Sequence, residues 1–589
     1  MSLRRRSIIT ALVMVVLLGG LTATAQDAKV PVQEVFLDNG MKLLMVERHE
    51  SPTVSAGWTA HVGSVNEEVG ATGIAHLFEH MMFKGSSTIS TSDYEKEAEI
   101  IAKLDAIRIE MDVEYQAMRE AKRRGEVTGS IYLPENQTER LAELREEMKV
   151  LQAQQKEFIV KDEFDQIYTE AGASGMNAGT MQDATIYFIT VPANKLEMWF
   201  WMESERLLNP VFREFYSERD VVREERRMRV ESNPTAKYEE QFDFMFWGSL
   251  PYHHPVIGWP SDVESIGRTS ANEFFATYYA PNNITAALVG DFSSEEALAL
   301  ANKYFGRIPR GETAPPSVVT EEIEQIAERR MTAQADTNPS VQIRWHTVPF
   351  AHRDFYALDV MDSLLNDRTG RLYKSLVESK QLATGEPYSN FNSLKYGGSL
   401  EIGAELADGV DHQLVEDALL AEIELLKNEP VPERELQKVK NQSLANSYRR
   451  LQSNFFLLLQ LLLYDVWDDW QFLNDSPAKT EAVTAEDVQR VANTYLTDTD
   501  RNTLWYYRTE GTDEDPELAA LSGQGKAMAK QALAQINQID DPAELEQGLA
   551  QMKAMKGQAP PEYQPAIDLM IKRGTERLEM LQAAAGEEE

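Results

Sequence analysis

Hydrophobic and polar positions divide this chain into segments of different period. "FLDNGMKLLMVERH" carries two strand-like runs around Asn39-Gly40, a dipeptide suited to a hairpin turn. "TVSAGWTAHVGS" continues as a strand, and the apolar "AHLFEHMM" then reads as a helix. Over residues 93–170 the character changes. Ile101, Leu104, Ile107 and Met111, and later Leu141, Leu144, Met148 and Leu151, recur at three- and four-residue spacing in charged surroundings. The breaker-rich "GEVTGSIYLPEN" separates the two runs. The pattern predicts a helical hairpin, either a protruding antiparallel coiled coil or simply a solvated spacer.

Strand character returns in "ASGMNAGTMQDATIYFITVP", followed by the helical "ANKLEMWFWMESERLLNP". A further helix, "SERDVVREERRMRVES", ends at Asn233-Pro234, because the residue before proline disfavours the helical region. "APNNITAALVGDF" is another strand, and "PRGETAPPSVV" (Pro309–Val319) is the best linker. The second half repeats the style of the first. "TAEDVQRVANTYLTDTDRNTLWYY" loosely matches "TSANEFFATYYAPNNITAALV", which suggests an internal duplication. The expected class is α+β: two homologous halves, each an antiparallel sheet with helices on one side, plus the hairpin insertion and a helical C-terminal tail. The expected division is an address segment at 1–25, a first half over 26–315, a second over 316–510 and an acidic tail over 511–589.

Composition narrows the function classes. Among 589 residues, 58 Lys plus Arg against 95 Asp plus Glu give a net charge of −37. That argues against a nucleic-acid partner, which needs a basic face, and weakly hints at basic peptides. Arg4–Arg6, the apolar Ile8–Leu21 and the small residues Ala23 and Ala25 read as a cleavable export signal, with a retained anchor as the alternative. A periplasmic or secreted location is therefore expected. "FFLLLQLLLY" (Phe455–Tyr464) is too short to span a membrane and reads as a buried helix. With no cysteine in the chain, a bound zinc would need histidine and carboxylate ligands.

The chemistry concentrates in "GIAHLFEHMMFKGS". On a helix His76 and His80 share one face, with Cβ atoms about 6 Å apart, so both imidazoles can reach one ion. Glu79 leans toward that face and is placed to take a proton from an attacking water. H-x-x-E-H is an inverted zinc-peptidase pattern. Two histidines and a glutamate on one buried face would be costly without pairing or an ion. The other histidines (His49, His61, His253, His254, His346, His352 and His412) read as structural or solvated. Glu218 and Glu225, two helical turns apart, offer one ligand and one group to orient a histidine, unless they only decorate a solvated helix.

Over most of residues 30–510 the chain resembles the pitrilysin family of inverted-motif zinc peptidases, especially the mitochondrial-processing-peptidase branch. The match runs through "GSVNEEVGATGIAHLFEHMMFKGS", "MNAGTMQDATIYFITVP", "ERDVVREE" and "YYAPNNITAALVGDF". The resemblance implies one zinc per chain on His76, His80 and Glu225, with Glu79 as general base and Glu218 as a supporting acid. It also implies that Asn177 and Ala178 lie on an edge strand that holds extended peptide by strand addition. It further implies hydrolysis of unfolded or short peptides between two halves closing like a clam shell. The third ligand is expected about 75 residues after the motif but lies about 145 after His80; the hairpin accounts for the excess, since surface insertions are well tolerated.

Active relatives also carry an Arg and, seven residues on, a Tyr that grip the substrate. "RLYKSLVESKQLATGEPYS" puts Val377 and Thr384 there, with Arg371 and Tyr388 at the wrong spacing. The expectation is therefore a heterodimer in which a homologous subunit supplies that pair, with a homodimer as runner-up. A vestigial peptide-binding or scaffolding subunit of an envelope complex is the rival reading.

Overall fold

The computed structural model describes residues 29–509, 516–521, 523–539, 541–556, 559–560 and 563–586, so the expected address segment lies outside the described residues. The first sheet contains β1 (Gln33–Phe36), β2 (Lys42–Glu47), β3 (Thr53–Ala60), β4 (Ser174–Thr180), β5 (Thr185–Pro192) and β6 (Ile284–Gly290), in the order β1-β2-β6-β3-β5-β4. The hairpin at Asn39-Gly40 forms, with Gly40 at φ +89°. The Asn39 side-chain amide is buried and donates to Phe305 O and Ile308 O at 2.8 and 3.0 Å.

The sheet is mixed where an antiparallel one was expected. Strand β6 inserts between β2 and β3, antiparallel to β3 but parallel to β2, with Leu43 opposite Ala286. A parallel neighbour needs a long crossover, and the helices between β5 and β6 supply it.

One face of this sheet packs against α1 (Ile74–Met81) and, beyond the insertion, α5 (Leu196–Leu208) and α6 (Phe215–Arg226), through Trp58, Phe78, Trp199 and Phe200. The insertion is α2 (Tyr94–Arg123) and α3 (Glu139–Lys156), followed by α4 (Glu163–Glu170). Asp93 and Thr138 cap α2 and α3 by accepting from Lys96 N and Leu141 N. Leu104, Met111, Tyr115 and Met118 bury against Leu141, Leu144 and Met148, and this seam continues into the core of the half. The foot of the hairpin is fastened. Fully buried Glu97 pairs with Arg213, and Arg108 donates to Glu264 O and Ser265 O. It is thus more than a solvated spacer at its base.

The second sheet contains β7 (Arg329–Ala335), β8 (Ser340–Thr347), β9 (Ala383–Ser393), β10 (Gly398–Leu406) and β11 (Asn502–Arg508), in the order β7-β11-β8-β10-β9. Helix α8 (Phe355–Leu365) lies over one face in a core with Ile343, Leu400 and Ile402.

Helices also cover the second face of each sheet, and each comes from the opposite half. Following α6, α7 (Ala236–Phe246) belongs to the first half but packs Phe242 against Ala333, Leu504 and Tyr506 of the second. It also places Asp243 2.5 Å from Arg344 and Glu239 2.6 Å from the Tyr506 hydroxyl. In return α9 (Asn454–Trp467), the "FFLLLQLLLY" helix, lays Leu457, Leu458, Leu461 and Leu462 on Leu44, Val46, Ala287 and Val289 of the first sheet. Each of those leucines contributes about 1.5–3 kcal/mol relative to exposure. Asp465 on the same helix is fully buried and accepts from Lys42 Nζ and Thr285 Oγ1, both at 2.6 Å. The halves are therefore interlocked through these two helices.

The region from Arg508 onward is a separate unit. In it α10 (Gly523–Gln538), α11 (Pro542–Lys556) and α12 (Gln564–Gly586) bury Ala529, Leu545, Leu549 and Met570 in a core of their own. No helix among the described residues is long and apolar enough to cross a membrane.

Candidate metal centre

Helix α1 starts at Gly73, whose φ of +90° suits glycine and where an added Cβ would come within 2.7 Å of Ile257 O. The first turn of a helix leaves N–H groups unpaired. Here the buried Glu67 carboxylate accepts from Gly73 N and Ala75 N, both at 2.8 Å. Burial pushes that carboxyl up to about 8, against the pull of the two N–H donors.

That anchored helix holds His76 and His80 with ring centres 4.9 Å apart. Helix α6 brings Glu225 to them: Glu225 Oε2 stands 3.6 Å from His76 Nε2 and 3.5 Å from His80 Nε2. These separations exceed an ordinary hydrogen bond, and Glu225 Oε2 is buried with no hydrogen-bond partner among the described residues. A carboxylate oxygen is not left so without reason. Donors about 2.0–2.1 Å from a tetrahedral ion stand about 3.3–3.4 Å apart, close to the two edges observed. All three donor atoms lie within 4.8 Å of one another, so this donor set fits a zinc ion. Burial pushes His76 down to about 3, which keeps its imidazole neutral and its lone pair available.

The surrounding carboxylates hold the group in place. Glu218 Oε1 lies 2.9 Å from His80 Nδ1, on the ring edge opposite Nε2, while its Oε2 meets Lys84 Nζ at 2.5 Å. Burial would raise the Glu218 carboxyl, but the hydrogen bonds from His80 and Lys84 outweigh it and bring it down to about 2. Burial likewise disfavours protonated His80, yet the hydrogen bond to Glu218 and the charges of Glu218, Glu225 and Glu79 leave it raised. Arg229, one turn past Glu225, holds the other oxygen of that carboxylate at 2.9 Å.

Glu79 is half-buried beside the two histidines, and its Oε2 accepts from Thr180 Oγ1 at 2.7 Å. A cavity of about 680 Å³ opens against Glu79 and His80, with Phe83, Phe164, Met176 and Ile159 among its walls. Asn177 and Ala178 lie on β4, the edge of the sheet, paired on one side only with Phe188 and Tyr187. The other edge of β4 carries no strand among the described residues, and Asn177 Oδ1 accepts from Ala178 N at 2.9 Å. The structure thus brings His76, Glu79, His80, Glu218 and Glu225 together, with Asn177 and Ala178 on the neighbouring strand.

Sequence reasoning missed Lys84, Thr180 and Arg229. The signal was thin, since each stands within a few residues of a named candidate but belongs to a common residue type. In the second half, Arg371 is bound to Glu435 through two contacts of 2.9 Å, and the Tyr388 hydroxyl donates to Glu401 at 2.7 Å. Both are committed to structural pairs.

Fold and site together define a two-halved α+β protein with a histidine–histidine–carboxylate group beside an open sheet edge. Residues 42–116 match the family described as "Insulinase (Peptidase family M16)", and residues 265–443 match "Peptidase M16 inactive domain". The chain is 25% identical to "Zinc protease PqqE" of Helicobacter pylori, over 82% of this chain and 95% of that protein. Among solved structures, a protease from Helicobacter pylori aligns with TM-score 0.65 and 24% identity, over 81% of this chain and 99% of the other. The periplasmic protease PqqL from Escherichia coli aligns with TM-score 0.60 and 17% identity, over 83% of this chain but only 48% of the other. These structural likenesses show a shared fold. In both halves, then, the chain resembles the pitrilysin-like peptidases of family M16.

Proposed function

We propose that this protein is a zinc-dependent endopeptidase, with His76, His80 and Glu225 as metal ligands and Glu79 as general base. The observation that carries this reading is the buried Glu225 Oε2, without a hydrogen-bond partner among the described residues and 3.5–3.6 Å from two imidazole nitrogens. The zinc-protease name of a relative that aligns over most of the chain supports it. Zinc held there would polarise a scissile carbonyl and acidify an attacking water.

The protein's own groups do the rest. Glu79 takes the proton released as the water oxygen bonds to the carbonyl carbon, then delivers it to the leaving amine nitrogen as the C–N bond breaks. Glu218, fixed by Lys84, holds His80 through Nδ1 so that Nε2 keeps its direction. Peptide lies extended along the free edge of β4 past Asn177 and Ala178. Such a site favours unfolded or short peptides.

Because α7 and α9 lock the halves together, the enclosure around the substrate is completed by a second, related subunit rather than by hinging within one chain. The engagement of Arg371 and Tyr388 in structural pairs agrees with that subunit supplying the substrate-gripping pair. A homodimer is the alternative arrangement. Export to the periplasm, with residues 1–25 removed, and the division into halves at about residue 315 with a tail from about 511 belong to the same proposal. The rival, a peptide-binding subunit without turnover, is also favoured by the loss of that pair.

One experiment separates them: zinc per chain, with hydrolysis of a mixed peptide library with and without EDTA, alone and with subunits co-purified from native extract. The peptidase reading expects about one zinc and EDTA-sensitive cleavage, with E79Q keeping the metal and losing at least about 100-fold in turnover. Normal turnover by E79Q would refute Glu79 as base. Zinc-loaded protein that binds but never cleaves, with every co-purifying subunit present, would favour the rival.

A further inference from the structure

A general base works only if its carboxylate is aimed, and a glutamate side chain has three rotatable bonds to lose that aim. Glu79 Oε2 takes a 2.7 Å hydrogen bond from Thr180 Oγ1, while Oε1 takes none from the described residues. Thr180 differs from the other groups around the metal ligands in coming from a strand. It is the last residue of β4, opposite Thr185 of β5, and so is fixed by the sheet rather than by α1. Its β-branched side chain has a restricted χ1, which limits the directions the hydroxyl can take.

We propose that Thr180 is a positioning residue for the base, holding one oxygen of Glu79 so that the other is free to take the proton. The inference rests on the peptidase reading above and adds to it a link between binding and chemistry. The strand whose open edge receives the peptide ends in the hydroxyl that aims Glu79. Peptide seated on β4 and a correctly turned base are then set by one backbone segment. Lys84 and Arg229, by contrast, hold Glu218 and Glu225 and act on the metal ligands.

The test compares wild type, T180V and T180S as zinc-loaded full-length protein, each assayed with the co-purifying related subunit, with E79Q and E79Q/T180V completing a cycle. T180V keeps the shape and removes the hydroxyl. It should lower kcat by about 10–100-fold, the scale of a misplacement of about 1 Å, with KM within about twofold and zinc content unchanged. T180S should recover most of the loss, and T180V should add nothing in the E79Q background, since a residue acting through Glu79 has nothing left to aim. Wild-type kcat in T180V, equal impairment in T180S, or a rise in KM alone would overturn the proposal.

Crystal structures of zinc-loaded wild type and T180V give a readout independent of turnover. The Thr180–Glu79 contact should persist in wild type, and the Glu79 carboxylate should change rotamer in T180V. An intact contact with no hydrolysis, even with every co-purifying subunit present, would sink the peptidase reading and leave only the Thr180–Glu79 hydrogen bond itself standing. A zinc-loaded wild-type structure with Glu79 turned away from Thr180 would sink the positioning role whatever the activity.

Discussion

At the scale of residues, the centre is built from side chains that hold other side chains. Glu218 reaches His80 from behind while Lys84 fixes Glu218, so in the proposed centre metal affinity would depend on groups that need never touch the ion. Removing such support typically costs 10–100-fold in affinity. We therefore expect E218Q to weaken zinc binding by about 10–100-fold in competition with a chromogenic chelator. Unchanged affinity would remove Glu218 from the centre. A residue far from the site carries a pH effect. Asp359 on α8 is pushed up to about 6 by burial and by neighbouring Asp362, with Arg450 pulling the other way and Tyr464 nearby. A folded value above the unfolded 3.8 means that its contribution to stability is full below about pH 4 and is lost as pH rises through 6. D359N should therefore raise Tm at pH 7.5 and leave it nearly unchanged at pH 4. A gain of the same size at both would contradict the sign.

At the scale of elements, the hairpin separates into a foot that belongs to the core and a tip that does not. Glu97, Arg108 and the start of α4 are tied into the body, and Phe164 of α4 lines the cavity next to Glu79. Removing all of residues 93–170 would strand buried Arg213 without Glu97, and breaking a buried pair costs about 3–5 kcal/mol. Replacing residues 113–141 with a short glycine-containing turn removes mainly the seam between α2 and α3. We expect the tip deletion to keep zinc stoichiometry and cooperative melting, and the full deletion to yield insoluble or non-cooperative protein. Equal behaviour of the two would show that the foot has no structural role. The three- and four-residue periods marked both helices in the sequence. They could not mark the foot, because its anchors, Arg213 and Glu264, come from elements much later in the chain.

At the scale of the whole molecule, the exchange of α7 and α9 decides how the halves behave. Asp465 sits at the centre of one exchange, accepting from Lys42 and Thr285 across the halves. D465A leaves the Lys42 charge without its partner and should cost about 3–5 kcal/mol. Hydrogen exchange should show amides of both sheets losing protection together rather than the second half alone. Independent exchange of the two sheets would contradict the interlock. The same exchange bears on the proposed function: in that reading peptide enters from the side, at the edge of β4 that is open among the described residues.

What the sequence determined by itself was local. The i, i+3, i+4 spacing of His76, Glu79 and His80, the seven-residue spacing of Glu218 and Glu225, the Asn39-Gly40 turn and the hairpin helices all follow from the helical and strand periods acting on neighbours in the chain. The tertiary structure decided whatever required distant residues to meet. Glu225 became a candidate ligand only when α6 packed beside α1, and Thr180 mattered only when β4 ended against Glu79. The parallel β2–β6 pairing and the cross-covering of the two sheets depended on a long crossover and on apolar helix faces. Such faces announce that they will be buried without saying against what.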